Sequence, residues 1–183
     1  MTPPSAMIIL GVDPGFGITG YGLVECRPED FSRPSLVEAG ILKTPKDLPL
    51  GGRLLQIYDG LRKLICEFRP GAVAVEDIFS VHGFPRSAIL IGHIRGTALL
   101  AAAQESVPVF SYYPLQVKKA LIGNGNATKV QVQRMVQTVL GLDAPPRPDD
   151  LSDALAVALC HAGHLRIDRK LRTAGALEAG VRA

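Results

Sequence analysis

Apolar residues in the first part of the chain come in short runs broken by glycine, proline and serine. Met7 to Asp13 (MIILGVD) is an apolar run stopped by Pro14 and Gly15, the pattern of a buried central strand entering a turn. Ile18 to Cys26 and Leu36 to Thr44 read as two further strands forming an antiparallel meander with the first. From Leu50 the period changes. Apolar residues at Leu54, Leu55, Tyr58, Leu61, Leu64, Ile65 and Phe68 mark one face of a helix, closed by Pro70 and Gly71. Ala72 to Ile78 is again a strand, and arriving after a helix it is expected to pair parallel with the first. Ser87 to Gln104 is apolar nearly all round, as in a buried helix, and Val107 to Ser111 follows as a strand. Thr128 to Leu140 and Asp150 to His164 are predicted helices, the second after the Pro-rich stretch Ala144 to Pro148. The order βββαβαβαα predicts an α/β layered architecture on a mixed sheet of five strands, three antiparallel and the rest parallel, flanked by helices.

Composition bounds this picture without changing it. At 183 residues and 19.5 kDa, with 47% hydrophobic and 20% charged residues, the chain is expected to form one globular domain. No apolar run is long enough to span a membrane, and Met1 to Ala6 has no basic, secretory-type start. Cys26, Cys66 and Cys160 are odd in number and far apart, which argues against a disulfide framework and for a reducing, cytoplasmic setting.

Charge placement says more than the net +3. Between Ile78 and Leu142, Arg86, Arg95, Lys118, Lys119, Lys129 and Arg134 face a single acid, Glu105. The segment from Leu165 to Ala183 is also basic, with Arg166, Arg169, Lys170, Arg172 and Arg182 against Asp168 and Glu178. A polyanion-binding surface beside an acidic site produces such a split, and so does uneven surface charge with no function.

Four carboxylates stand where a solvated charge is unexpected. Asp13 ends an apolar strand and Glu76 lies inside another, where an unpaired carboxylate is costly to bury. Asp150 and Asp153 are one turn apart at a helix start. Each has a structural alternative: capping for the pair, turn initiation for Asp13, a salt bridge for Glu76. Taken together, strand ends and a helix start from separate parts of the chain can converge on one rim of a sheet. Convergent carboxylates without a His or Cys set favour Mg²⁺ or Mn²⁺ over zinc, and two such ions perform phosphodiester hydrolysis. Cys160, His161 and His164 match no zinc spacing. The segment DPGFGITGYG lacks GxxxxGK and reads as a hairpin, although actin-like ATPases carry a comparable phosphate loop. Lys118 and Lys129 bracket Gly123-Asn124-Gly125-Asn126, from which side chains can reach phosphates or solvent. Phe79 and Phe84 follow the Glu76 strand and can stack on a base or pack down.

From Met7 to His164 the chain resembles the RuvC family of Holliday-junction resolvases. The motifs that carry the resemblance are ILGVDPGFGITGYG, AVEDIF, IGHIRG, QVKKALIGNGNATKVQVQ and DDLSDALAVALCH. It implies a ribonuclease H-like fold over residues 7–164; residues 1–6 lie before the match as an extension, and the basic, Gly/Ala-containing stretch 165–183 beyond it is expected from its composition to be a flexible tail. It also implies an Mg²⁺-dependent endonuclease with two ions per site, Mn²⁺ being a possible substitute. This enzyme would act as a homodimer on four-way DNA junctions in recombination and repair, alongside branch-migration motor proteins. The motif positions implied as catalytic and metal-binding are Asp13, Glu76, Asp150 and Asp153, with Asp150 selected over Asp149. Lys118, Lys129, Phe79 and Arg95 are the implied DNA contacts. After Phe79 the stretch SVHGFPRSAILIGH is one residue longer than the family pattern and less basic near Leu90. Three other functions stand beside junction resolution: a ribonuclease H-like nuclease acting on DNA or RNA flaps, a non-catalytic junction-binding module, and an actin-like phosphotransferase, for which the chain is too short for the second domain that would close over a nucleotide.

Overall fold

Alternation along the first strand, β1 (Met7–Asp13), decides how the layers form. Leu10 and Val12 pack into one core and Ile9 into another, so both faces of β1 are covered and the whole run must be apolar. The computed structural model describes residues 6–27, 30–78 and 85–180, with side chains as far as Arg172. β1 pairs antiparallel with β2 (Ile18–Arg27), and β2 antiparallel with β3 (Asp30–Lys43). On the other side of β1, β4 (Ala72–Glu76) and β5 (Val109–Tyr112) add in parallel, giving the order β3-β2-β1-β4-β5. Helices α1 (Leu50–Phe68) and α2 (Pro85–Gln104) cover one face, burying Leu10, Val12, Leu23, Val73 and Val75. α3 (Pro114–Ile122), α4 (Lys129–Leu140) and α5 (Asp149–Gly180) cover the other, over Ile9, Val24 and Ala74. The fold is ribonuclease H-like, as the motif resemblance implied.

α5 lies unusually close to the sheet, and glycine is the reason. Gly11 and Gly22 are register partners, as are Asp13 and Gly20. A Cβ on Gly11 would fall on the carbonyl oxygen of Ala154, one on Gly20 on that of Asp150, and one on Gly22 on the Leu155 side chain. The glycines of the β1–β2 hairpin therefore form a bare floor on which the first turns of α5 rest.

Several boundaries differ from the expectation. β3 starts at Asp30 rather than Leu36; its outer half is polar and exposed, so hydrophobicity does not mark it, yet it pairs with β2 through two irregular registers. β4 ends at Glu76 and β5 spans Val109–Tyr112, each shifted from the predicted limits of Ile78 and of Val107–Ser111. α3 was not predicted, since a nine-residue helix with one buried side chain, Val117, is too short to display a period. α1 buries Arg53, Ile57, Leu61, Leu64 and Ile65, leaving Leu55 59% exposed. α5 runs past His164 into the expected tail, as far as Gly180, through a proline-free stretch rich in Leu, Arg and Ala that favours helix.

Candidate active site

Strand parity places the first two carboxylates side by side. Val12 pairs with Val75, so Asp13 and Glu76 are the next register step at the C-terminal ends of two parallel strands. Both follow residues two positions earlier, Gly11 and Ala74, that face α5. The glycine floor brings Asp150 and Asp153, in the first two turns of α5, onto the same edge. Asp150 Oδ1 lies 3.7 Å from where a Cβ of Gly15 would stand, in the turn immediately after Asp13.

The four acids share one electrostatic field. Burial, then the charges of Asp153 and Asp150, push the Asp13 carboxyl up to about 7, against the opposing pull of Lys129. Burial, then Asp13 and Asp153, push Glu76 up to about 8, opposed by Lys129 and Lys118. Asp153 is raised mainly by burial, an effect that Lys129 partly offsets. Lys129 Nζ stands 3.4 Å from Asp153 Oδ2, and its place at the start of α4 is set by a reciprocal cap. The Gln131 N–H donates to Thr128 Oγ1, and the Thr128 N–H to Gln131 Oε1. Asp149 is turned elsewhere: its Oδ1 accepts from Gln133 Nε2 at 2.8 Å, tying α5 to α4.

Among the described residues, no three His, Cys, Asp or Glu side chains converge closely enough to ligate one ion as they stand. The donor set nonetheless fits a hard cation. All four groups are carboxylates, and a divalent ion would offset both the burial and the repulsion between neighbouring acids that raise Asp13 and Glu76. A cleft of about 220 Å³ opens here, lined by Asp13, Pro14, Glu76, Asp77, Ile78 and Pro114 among others.

The other predicted residues are placed differently from one another. Lys118 on α3 lies close enough for its charge to act on Glu76. Arg95 is committed within the protein: its Nε is 3.1 Å from Asp77 Oδ1, and its terminal nitrogen donates to Ser111 Oγ at 2.7 Å. It braces the end of β4 against β5 and α2. Phe79 lies outside the described residues, as do His82 and Phe84.

Two arrangements were missed. Arg53, 6% exposed, donates from Nε to Thr44 Oγ1 at 2.9 Å and stacks 3.8 Å from the ring of Phe16, holding the turn that follows Asp13. The signal was present, since Arg53 continues the stripe of Ile57 and Leu61. Tyr112 and His161 share a buried 2.7 Å hydrogen bond joining β5 to α5, with Phe110 stacked on the imidazole at 4.2 Å. Burial holds His161 down to about 4, so it is a neutral brace. His164 donates from Nδ1 to the Cys160 carbonyl.

A family model described as crossover junction endodeoxyribonuclease RuvC matches residues 9–161. The chain belongs to the RuvC family. A crossover junction endodeoxyribonuclease RuvC from Pelotomaculum thermopropionicum is 49% identical over 166 residues, spanning 91% of this chain and 99% of that one. Among solved structures, Thermus thermophilus RuvC superposes with a TM-score of 0.82 at 38% identity, covering 88% of this chain and 97% of its own. The T. thermophilus protein in complex with a Holliday junction substrate gives 0.78 at 37% identity, over 88% and 96%. This family member thus carries the strand-end acids and the α5 acids within the matched span.

Proposed function

We propose that the chain resolves four-way DNA junctions, nicking two opposed strands symmetrically by Mg²⁺-dependent phosphodiester hydrolysis during cytoplasmic recombination and repair. The observation that carries the reading is the gathering of Asp13, Glu76, Asp150 and Asp153 on one sheet edge, with Lys118 and Lys129 beside them, in a member of this family. Asp13 and Glu76 would hold the ions from the sheet, and Asp150 and Asp153 from the helix. When bound, two Mg²⁺ ions supply Lewis-acid activation of water and charge relief at the leaving oxygen. Lys118 places a cation where the scissile phosphate enters, and Lys129 holds the Asp153 carboxylate in position. α2 supports a two-fold assembly: its Ile89, His93, Gly96, Leu100 and Ala103 form an exposed stripe opposite the face buried in the core. Two copies of one site match a substrate with two equivalent strands.

The test is single-turnover cleavage of a labelled four-way junction, a flap and a linear duplex, each with and without Mg²⁺. Paired symmetric nicks in the junction alone, only with metal, are expected. Asp13→Asn or Glu76→Gln should cut cleavage by more than the roughly 100-fold that losing even an outer metal partner costs. Both variants should still bind the junction. Cleavage that survives Asp13→Asn removes these acids from the chemistry.

A further inference from the structure

The carboxylate cleft continues into a second, larger concavity. This groove, about 800 Å³, is lined by Ile78, Tyr113, Pro114, Leu115, Gln116 and Lys118, and Ile78 and Pro114 line both spaces. We propose that it is a nucleobase subsite, taking the unpaired base of a nucleotide next to the scissile phosphate, with Tyr113 as its stacking surface. The assignment rests on the junction-cleaving reading and adds to it the group that selects where the strand is cut.

Three features point to a base. The volume lies within the range of about 300–1,000 Å³ of small-molecule sites, so a nucleotide fits. The lining combines an aromatic and an aliphatic side chain, Tyr113 at 47% and Leu115 at 59% exposure, with the Lys118 ammonium. An apolar slot with a cation suits a nucleotide, whose base is a π-face and whose phosphate is an anion. An apolar peptide would leave that cation without a partner. Finally, a strand laid over Asp13 and Glu76 has the groove as its direct continuation, so a flanking nucleotide reaches it without a turn.

The surface is also held in place. The Tyr113 N–H donates to Gln116 Oε1 at 2.8 Å, and the carbonyl of Tyr112 accepts the Asp77 N–H at 2.8 Å, tying this corner to the strand that carries Glu76. Leu115 packs over Gly125, where a Cβ would stand 3.0 Å from its Cγ, so the Gly123–Asn126 loop supports the floor. A base taken out of its stack needs such a preformed surface. Duplex DNA keeps its bases stacked, whereas the exchange point of a junction releases them most readily.

The experiment is a cycle between protein and DNA. Junctions carrying one abasic site at each position within two nucleotides of the cut are cleaved under single-turnover conditions by the native chain, Tyr113→Ala and Tyr113→Phe. At one position the abasic site should slow the native chain by roughly 5- to 150-fold, the range that loss of one base–aromatic stack produces. Tyr113→Ala should slow the intact junction by a similar factor and lose nothing further on the abasic one, while Tyr113→Phe stays near native. 2-Aminopurine at that position should change fluorescence on binding to the native chain and not to Tyr113→Ala. Tyr113→Ala cleaving the intact junction at the native rate, or slowing intact and abasic junctions equally, overturns the subsite. Absence of cleavage by the native chain on every junction would instead refute the nuclease reading, with the 2-aminopurine signal still deciding whether a base enters the groove.

Discussion

Asp13 and Glu76 are tolerated at a buried strand edge because a proton can neutralise each carboxyl there. Their carboxyls are raised to about 7 and about 8, first by burial and then by neighbouring acids, from ordinary values of 3.8 and 4.5. Between roughly pH 4 and 8 the folded protein therefore keeps protons that the unfolded chain has released. Unfolding is favoured as those protons leave, so metal-free stability should fall as pH rises through this window and level off above about 8. Denaturant midpoints in EDTA from pH 5 to 9 read this directly, and Asp13→Asn should flatten the slope. Mg²⁺ added at pH 8 should restore the midpoint, because metal uptake replaces the bound protons. A midpoint that is flat or rises with pH would contradict raised carboxyls at Asp13 and Glu76. Spacing puts Asp149 on a helical face with Asp153, and its charge acts there while its Oδ1 accepts from Gln133; Asp150 is the neighbour whose charge acts on Asp13.

Secondary structure was legible wherever burial imposes a period. β1 and β4 could be read because both faces are covered, and α1 because one stripe is. The outer half of β3 and the short α3 bury too little to mark the chain, and α5 has no proline to end it at His164. The strand-end acids were visible as charges in apolar runs. How α5 reaches them was not, because DPGFGITGYG reads locally as a hairpin, and its glycines matter through a helix about 130 residues later. Their role can be tested by adding one methyl group. Gly20→Ala places a Cβ on the Asp150 carbonyl, and neither backbone can yield without lifting the first turn of α5. Overpacking of this kind costs about 1–3 kcal/mol, and cleavage should fall further than that stability loss explains, since Asp150 and Asp153 move with the turn. Gly51→Ala in α1, where nothing lies within 4 Å, is the control and should leave or slightly raise stability. Equal effects of the two substitutions on urea midpoint and cleavage rate would mean that the floor does not set the site.

Across the protein, acidic and basic charges divide according to what each must meet. Asp13, Glu76, Asp150 and Asp153 gather at the edge of β1 and β4, while residues 78–142 supply six basic side chains against Glu105, which Arg62 neutralises at 2.8 Å. Those six are not equivalent. Arg95 is paired with Asp77 at 3.1 Å, whereas Lys118 lines the groove and its charge acts on Glu76. Junction affinity should therefore fall steeply with salt, because each phosphate neutralised releases condensed counterions. Lys118→Ala should lower the magnitude of the slope of log affinity against log salt by about 1, the value for one phosphate contact. Arg95→Gln should leave that slope unchanged and instead reduce stability, since it strands Asp77. Measured by titration of the junction at several salt concentrations in Ca²⁺, the two variants separate a cation that meets DNA from one that holds the protein together. If the slope drops with Arg95→Gln and not with Lys118→Ala, the strand path runs over α2 rather than through the groove beside α3.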